Sequence, residues 1–164
     1  MTRSRLFVLL LFAVGLAPAT LIGCVAQSAV GSADDHIDEI CAKAGIREIV
    51  GATPEKASGL MICSAATAEP VMSNLFVAAH ARYPLSLART EHDQECKAMA
   101  TAGTVEHPAI GDEACLITED GRVRITTVIV RKGSLHIGVR YATAAKDATA
   151  VEQTALDVAR RLAR

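Results

Sequence analysis

Apolar positions along the chain follow two different periods, and the changes between them predict the order of helices and strands. Helical spacing, with apolar residues three or four positions apart, covers 34–44, 85–102 and the segment opened by a capping box at 149–152. Gly45 interrupts the first helix, and 46–51 is predicted to form a further short helical turn. The stripes predicted to face the core are Ile37, Ile40, Cys41 and Ala44; Leu85, Ala88, His92, Cys96 and Met99; and Val151, Ala155, Val158 and Leu162.

Alternation of apolar and polar residues predicts five strands. They are expected over 57–66, 73–83, 114–118, 123–130 and 135–141. Asp120-Gly121 and Lys132-Gly133 predict tight turns that join the last three strands into a meander. The predicted order is α-β-β-α-β-β-β-α, which indicates a single α+β domain whose mostly antiparallel sheet packs against helices.

The amino-terminal segment is predicted to direct export, because the basic start MTRSR precedes an uncharged apolar run over 6–22. One interpretation is a signal peptide cleaved after Ala17-Pro18-Ala19. A second is an uncleaved membrane anchor, because no charge appears between Arg5 and Asp34. A third is a lipoprotein signal, because Leu21-Ile22-Gly23-Cys24 matches the lipobox. We favour the third, since the lipobox lies directly behind an apolar run of suitable length.

Lipid modification of Cys24 would divide the chain into three parts. Residues 1–23 form the signal peptide, 24–33 a short lipidated tether, and 34–164 a single extracytoplasmic domain. One acyl chain gives marginal membrane binding, so two or three chains, such as palmitate, are needed to hold a protein stably. The predicted location is therefore the cell membrane, with the domain anchored by lipid on its extracytoplasmic side.

Composition argues against nucleic acid as a partner. Removing 1–23 leaves a net charge of −3, and only Phe76, Tyr83 and Tyr141 remain as aromatic residues. Single-stranded nucleic acids are commonly bound by aromatic stacking in a basic groove, and the chain offers little of either.

Five cysteines are present, and an odd number leaves one without a disulfide partner. If Cys24 carries lipid, four remain, and four cysteines allow three pairings. We favour the sequential pairing Cys41–Cys63 and Cys96–Cys115, which closes two loops of similar length. Each bond would stabilise the domain by about 3 kcal/mol.

A zinc site is the competing interpretation of one of these cysteines. His92 and Cys96 are four positions apart, which places them on one face of a helix, as two zinc ligands would be. However, the chain contains neither Cys-x-x-Cys nor His-x-x-x-His, and exported thiols are usually oxidised. We therefore expect no metal and no cofactor.

Several of these features resemble a family of small actinobacterial lipoproteins, common in mycobacteria, that share a domain of unknown function. The resemblance rests on Cys24 in its lipobox, Cys41 in a helix leading to Gly51, Cys63 in the next strand, Gly111-Asp112-Glu113-Ala114 before the meander, and the closing Ala155-x-x-Val158-Ala159-x-x-Leu162 helix. Ala42-Lys43-Ala44 departs from the more aliphatic sequence typical after that cysteine. The resemblance implies a photosystem PsbP-like α/β/α fold and an extracytoplasmic location.

Two groups of polar residues are candidate sites. Gly111-Asp112-Glu113-Ala114 fits a ligand loop, or a turn in which Asp112 bonds its own backbone, and we favour the turn. His80 and Arg82 on one strand, with His136 and Arg140 on another, would form a basic, titratable patch if those strands are neighbours. An ordinary solvated sheet face is the interpretation that we favour.

No motif in the chain indicates catalysis: a Gly-x-Ser-x-Gly elbow, penicillin-binding motifs and a phosphate-binding loop are all missing. We expect a monomeric, non-catalytic binding or accessory domain, sensor-like, whose partner is an unidentified protein or small molecule. The alternative is a carrier of a hydrophobic cell-envelope ligand, held in a cavity lined by Met61, Phe76, Met99 or Ile129. A hydrolase would require a carboxylate close to His80, His92, His107 or His136.

Overall fold

The computed structural model describes residues 33–57, 61–68, 71–145 and 147–164. The predicted signal peptide, Cys24 and the tether up to residue 32 lie outside the described residues. Ala33, the last residue of the predicted tether, already belongs to the first helix.

The described chain forms one seven-stranded sheet flanked by helices. The helices are α1 (Ala33–Ala44), α2 (Ile46–Val50), α3 (Leu85–Met99) and α4 (Ala148–Leu162). The strands are β1 (Glu55–Ala57), β2 (Ile62–Thr67), β3 (Ser73–Ala81), β4 (Thr104–Glu106), β5 (Glu113–Glu119), β6 (Arg124–Lys132) and β7 (Leu135–Thr143). The sheet order is β1-β2-β3-β7-β6-β5-β4, and every neighbouring pair is antiparallel.

The predicted α+β class and antiparallel sheet are confirmed, with two strands more than the sequence predicts. β1 and β4 have three residues each and form the two edges of the sheet. A strand of three residues is too short to display an alternating pattern, so its existence depends on the neighbour with which it pairs. The strand predicted over 57–66 corresponds to β2, and β1 shares only Ala57 with it.

Residues of the sheet alternate between two differently covered faces. One face carries the main core, in which α1, α2 and α4 pack on apolar residues such as Val77, Val128 and Val139, all with no exposed surface. The opposite face is covered in part by α3, where Cys96 packs with Cys115, Ile117 and Ile129 in a smaller cluster. The helices therefore lie in two layers with the sheet between them.

Two details of the helices differ from the sequence prediction. The side chain of Asp147, not Thr149, caps α4, because its Oδ1 accepts a hydrogen bond of 3.1 Å from the backbone N–H of Ala150. Leu85 was expected in the buried stripe of α3 but is 58% exposed, since α3 begins at the margin of the sheet. The stripe predicted for α4 is buried throughout.

Both disulfide bonds have the sequential pairing. Cys41–Cys63 joins α1 to β2, and Cys96–Cys115 joins α3 to β5, so each bond ties a helix to the sheet. Disulfides persist in oxidising compartments, which indicates an extracytoplasmic location for the domain. Among the helices of the described residues, none has the length and apolar character needed to cross a membrane.

Candidate functional site

Three histidines meet on the sheet face that α3 partly covers. β3 and β7 are neighbours, and His80 lies directly opposite His136, with the two rings stacked 4.8 Å apart between centroids. His92 of α3 approaches His136 edge-on, at a centroid distance of 6.3 Å. We call His80, His92 and His136 the histidine cluster. The two histidines of the predicted patch therefore meet, whereas Arg82 is paired with Glu91 and Arg140 pairs with Phe76, four residues from His136 along β7.

Two carboxylates of α3 face the cluster because they are four positions apart on one side of the helix. Glu91 Oε1 lies 3.4 Å from His80 Nε2, and Glu95 Oε2 lies 3.1 Å from His136 Nε2. Neither contact has the alignment of a hydrogen bond, and both Nε2 atoms are buried without a hydrogen-bond partner in the described structure. Two of the histidines therefore have a carboxylate close by, which is what a hydrolase would require.

The surroundings shift the pKa values of His80, His92 and Glu91. Burial lowers the pKa of His80, and the positive charges of His136 and Arg82 lower it further, against the opposite effect of Glu91. Burial likewise lowers the pKa of His92. Arg82 donates a hydrogen bond of 2.8 Å to Glu91, which lowers the pKa of that carboxyl.

The Gly111-Asp112-Glu113-Ala114 motif holds the turn between β6 and β7. Arg131 donates to Asp112 Oδ2 at 3.0 Å and to Glu113 Oε2 at 2.8 Å. Asp112 Oδ2 also accepts from the backbone N–H of Gly133 at 2.7 Å. The turn interpretation is therefore supported, but Asp112 bonds a distant turn, and the expectation that it bonds its own backbone is wrong.

Next to the histidine cluster lies a cavity of about 420 Å³ between α3 and strands β3, β7 and β6, which we call the sheet cleft. Glu95 and Met99 of α3 line it from the helix, and Phe76 of β3 lines it from the sheet. Arg140 lies at one end and the pair His80 and His136 at the other.

The strand register explains the shape of the sheet cleft. Three cross-strand rows form its floor: Thr127, Arg140 and Phe76; Ile129, Gly138 and Ala78; His136 and His80. The middle row contains two of the smallest side chains, so the floor is lowest there. A Cβ atom added at Gly138 would meet nothing within 4 Å. The missing side chain of Gly138 therefore leaves open space in the centre of the cleft.

Buried polar atoms without partners line the same cleft. Thr127 is only 7% exposed, and its Oγ1 has no hydrogen-bond partner among the described residues. The Nε2 atoms of His80 and His136 share this property. Burying a polar group without a hydrogen bond costs free energy, so such groups mark positions where a bound molecule would stabilise the protein.

Comparison of the chain with protein-family models, curated proteins and solved structures finds no match.

A second cavity, of about 590 Å³, lies on the other side of α3, against β5 and the segment before it. It is the larger of the two, but Asp112 and Glu113 in its lining are already bound by Arg131. His92 Nδ1 is the one unpartnered buried atom among its described lining residues, whereas the sheet cleft has three. We therefore favour the smaller cavity as the candidate site.

The residues of the zinc interpretation do converge. Ligand atoms of His92, Cys96 and Cys115 lie within 4.8 Å of one another, and His92 Nε2 is 3.6 Å from Cys96 Sγ. The two sulfurs are bonded to each other, however, and a disulfide offers no thiolate to a metal.

Three of the four residues proposed to line a carrier cavity, Phe76, Met99 and Ile129, line the sheet cleft. Met61 does not, because it packs on the opposite side, near Ile40 of α1. His107 is also separate, since its Nδ1–H donates to the carbonyl oxygen of Ala114 at 3.2 Å.

Glu95, Thr127 and Gly138 are site residues that the sequence analysis did not single out. The sequence contained one signal for them, a glycine in the interior of a strand between His136 and Arg140. Such a glycine often marks a place where a ligand or another backbone approaches closely. Glu95 and Thr127 carried no comparable signal, because their role depends on which strands and helix become neighbours.

Proposed function

We propose that the protein is a lipid-anchored extracytoplasmic domain that binds a small molecule in the sheet cleft, as a non-catalytic accessory or sensor-like unit. The observation that carries this proposal is the floor of the cleft. Open space above Gly138 lies beside the buried hydroxyl of Thr127 and the buried Nε2 atoms of His80 and His136, none of which makes a hydrogen bond within the described residues. Cavities of a few hundred Å³ with few, converging polar groups are typical of small-molecule sites.

The proposed anchor is lipid on Cys24, as in the small actinobacterial lipoproteins that the sequence resembles. Ala33, where α1 starts, lies only nine positions after Cys24. Nine residues reach at most about 30 Å when fully extended, so the domain would stay close to the membrane surface. The two disulfides are consistent with this compartment.

The hydroxyl of Thr127 in the sheet cleft favours binding over hydrolysis. A nucleophilic serine or threonine is activated through a hydrogen bond to a general base. Thr127 lines the cleft together with two histidines, yet its Oγ1 makes no such bond within the described part of the chain. The lining thus supplies polar groups for recognition without an activated nucleophile.

The proposal is tested on protein purified with its lipid from native membranes, by native mass spectrometry and by analysis of extracted small molecules. The matched variant is Gly138→Val, because a Cβ there has open space and the methyl groups beyond it would occupy the cleft. We expect wild-type protein to carry a non-covalent molecule that the variant has lost. Equal loading of the two proteins, or two empty proteins, would overturn the proposal.

The same purification tests the anchor. We expect an intact mass that begins at Cys24, with acyl chains added and four hydrogens missing because of the two disulfides. A chain that begins directly after Ala19 would show that the signal peptide is an ordinary one.

A carrier of a hydrophobic cell-envelope ligand is the second candidate, favoured by the convergence of Phe76, Met99 and Ile129 on the cleft. A carrier must release its ligand to a second membrane, whereas a sensor-like domain retains it. Transfer of a fluorescent phospholipid between two vesicle populations separates the two. A carrier accelerates transfer over the spontaneous rate, and Gly138→Val abolishes the acceleration.

A further inference from the structure

The two ends of the sheet cleft differ in charge. Arg140 is exposed at one end and has no ion-pair partner among the described side chains. At the other end, Glu95 lies beside His136, and Glu91 lies beside His80. Glu91 is already paired with Arg82, so an anionic group on a ligand would be repelled by Glu95 and attracted by the unpaired guanidinium of Arg140.

Hydrogen-bonding groups reinforce the same orientation. Thr127 lies directly opposite Arg140 in the register of β6 and β7, and directly opposed side chains in a sheet lie close together. The buried, unpartnered hydroxyl of Thr127 can therefore donate to a group that the guanidinium binds. An arginine presents a planar pair of donors that matches a carboxylate.

The rest of the cleft suits an apolar chain. From Arg140 the floor continues over Gly138 to His136, a distance of about 13 Å for four strand residues. Ile129 and Ala78 flank Gly138 on this floor, and Phe76 and Met99 lie at the sides. The apolar surface lies between the guanidinium and the histidine cluster.

We propose that the ligand of the sheet cleft is an amphiphile with one carboxylate, whose head is bound by Arg140 and Thr127 and whose apolar chain lies over Gly138. This inference rests on the proposed function and specifies its ligand. It follows from the charge asymmetry of the cleft together with the buried hydroxyl at its cationic end.

The test measures binding of octanoate by calorimetry to the lipidated protein in nanodiscs of neutral phosphatidylcholine, with empty nanodiscs subtracted. Octanol, octylamine and octyl phosphate carry the same chain with a neutral, cationic or phosphate head. We expect octanoate to bind at least tenfold more tightly than octanol, and octylamine to bind more weakly still. Preference for octyl phosphate would overturn the assignment of a carboxylate.

Variants locate the head group. Arg140→Gln is expected to weaken octanoate binding about tenfold to hundredfold, as for the loss of a charge-assisted hydrogen bond. The affinity for octanol should stay unchanged, which distinguishes loss of the charge from general damage to the cleft. Thr127→Val, of nearly the same shape, should weaken octanoate about fivefold. Arg122→Gln is the control, since Arg122 is also exposed and lies outside the cleft.

Identical octanoate affinities for Arg140→Gln and Arg122→Gln would refute this inference. It would also fail if wild-type protein bound octanol as tightly as octanoate. Neither outcome affects the proposed function, which depends on whether Gly138→Val loses the molecule that co-purifies with the wild type. A neutral or cationic native molecule that Gly138→Val loses would preserve the binding function and reject the carboxylate.

Discussion

Two glycines with the same backbone conformation are expected to respond very differently to alanine. Gly111 and Gly133 both have left-handed φ angles, of 63° and 59°. A Cβ on Gly111 would lie 2.6 Å from the carbonyl oxygen of Arg131 and 2.7 Å from Val130 Cγ1. A Cβ on Gly133 would meet nothing within 4 Å. The pair therefore separates the cost of the conformation from the cost of crowding.

The magnitudes follow from these distances. Gly133→Ala costs only the left-handed conformation of a residue with a Cβ, about 1–2 kcal/mol. Gly111→Ala carries that cost plus about 1–3 kcal/mol for overpacking, because the obstructing oxygen belongs to the backbone and cannot rotate away. For a domain of this size 1 kcal/mol corresponds to about 4 °C in Tm. Gly133→Ala should lower Tm by about 4–8 °C, and Gly111→Ala by about 8–20 °C.

Thermal and urea unfolding followed by circular dichroism provide the measurement, with the urea m-value required to stay constant between variants. The hydrogen bond from Gly133 N–H to Asp112 survives in Gly133→Ala, because the donor is a backbone atom. Losses that are equal within error would refute the reasoning, since they would show that the segment at Gly111 moves away from β6 at little cost.

Three further predictions concern elements that hold the site in place. Asp147→Ala should lower the free energy of unfolding by about 1 kcal/mol through loss of the α4 cap, while Thr149→Ala should change it by less. A larger loss for Thr149→Ala would instead support the capping box predicted at 149–152. Replacing Cys41 and Cys63 together by alanine should cost about 3 kcal/mol in urea unfolding, and a change below about 1 kcal/mol would contradict a stabilising bond. Burial holds the pKa of His80 below its ordinary value of 6.5, so the unfolded chain binds more protons than the folded one between the folded pKa and 6.5. The contribution of neutral His80 to the free energy of unfolding should therefore be complete above pH 6.5 and decrease on acidification below it. In His80→Gln the decrease of the free energy of unfolding with falling pH should be smaller. An unchanged decrease would count against a neutral His80.

The sequence by itself determined the class of the fold and the number of disulfide bonds, whereas it left three pairings of the cysteines open. Period-two alternation in the last three long strands, with a Gly-containing turn between each pair, predicts a meander irrespective of the rest of the chain. Four cysteines in an exported domain predict two bonds, and both form between the partners nearest in sequence. These inferences depend on local pattern and counting, which is why they hold without knowledge of the packing.

Elements that depend on a neighbour were not visible in this way. The two edge strands have only three residues each, and their backbone groups are ordered by β2 and β5. The cap of α4 was misassigned because aspartate and threonine both suit a helix start, and only the backbone path selects between them.

The candidate site was decided by tertiary structure almost entirely. His80 and His136 were recognised as a possible pair, but their contact required β3 and β7, which are far apart in the chain, to become neighbours. α3 then brought Glu91 and Glu95 onto the histidines and left the row at Gly138 uncovered. A cleft is the space between elements, and its position is set by how a helix packs on a sheet. Local sequence patterns specify the elements themselves and leave that space undetermined.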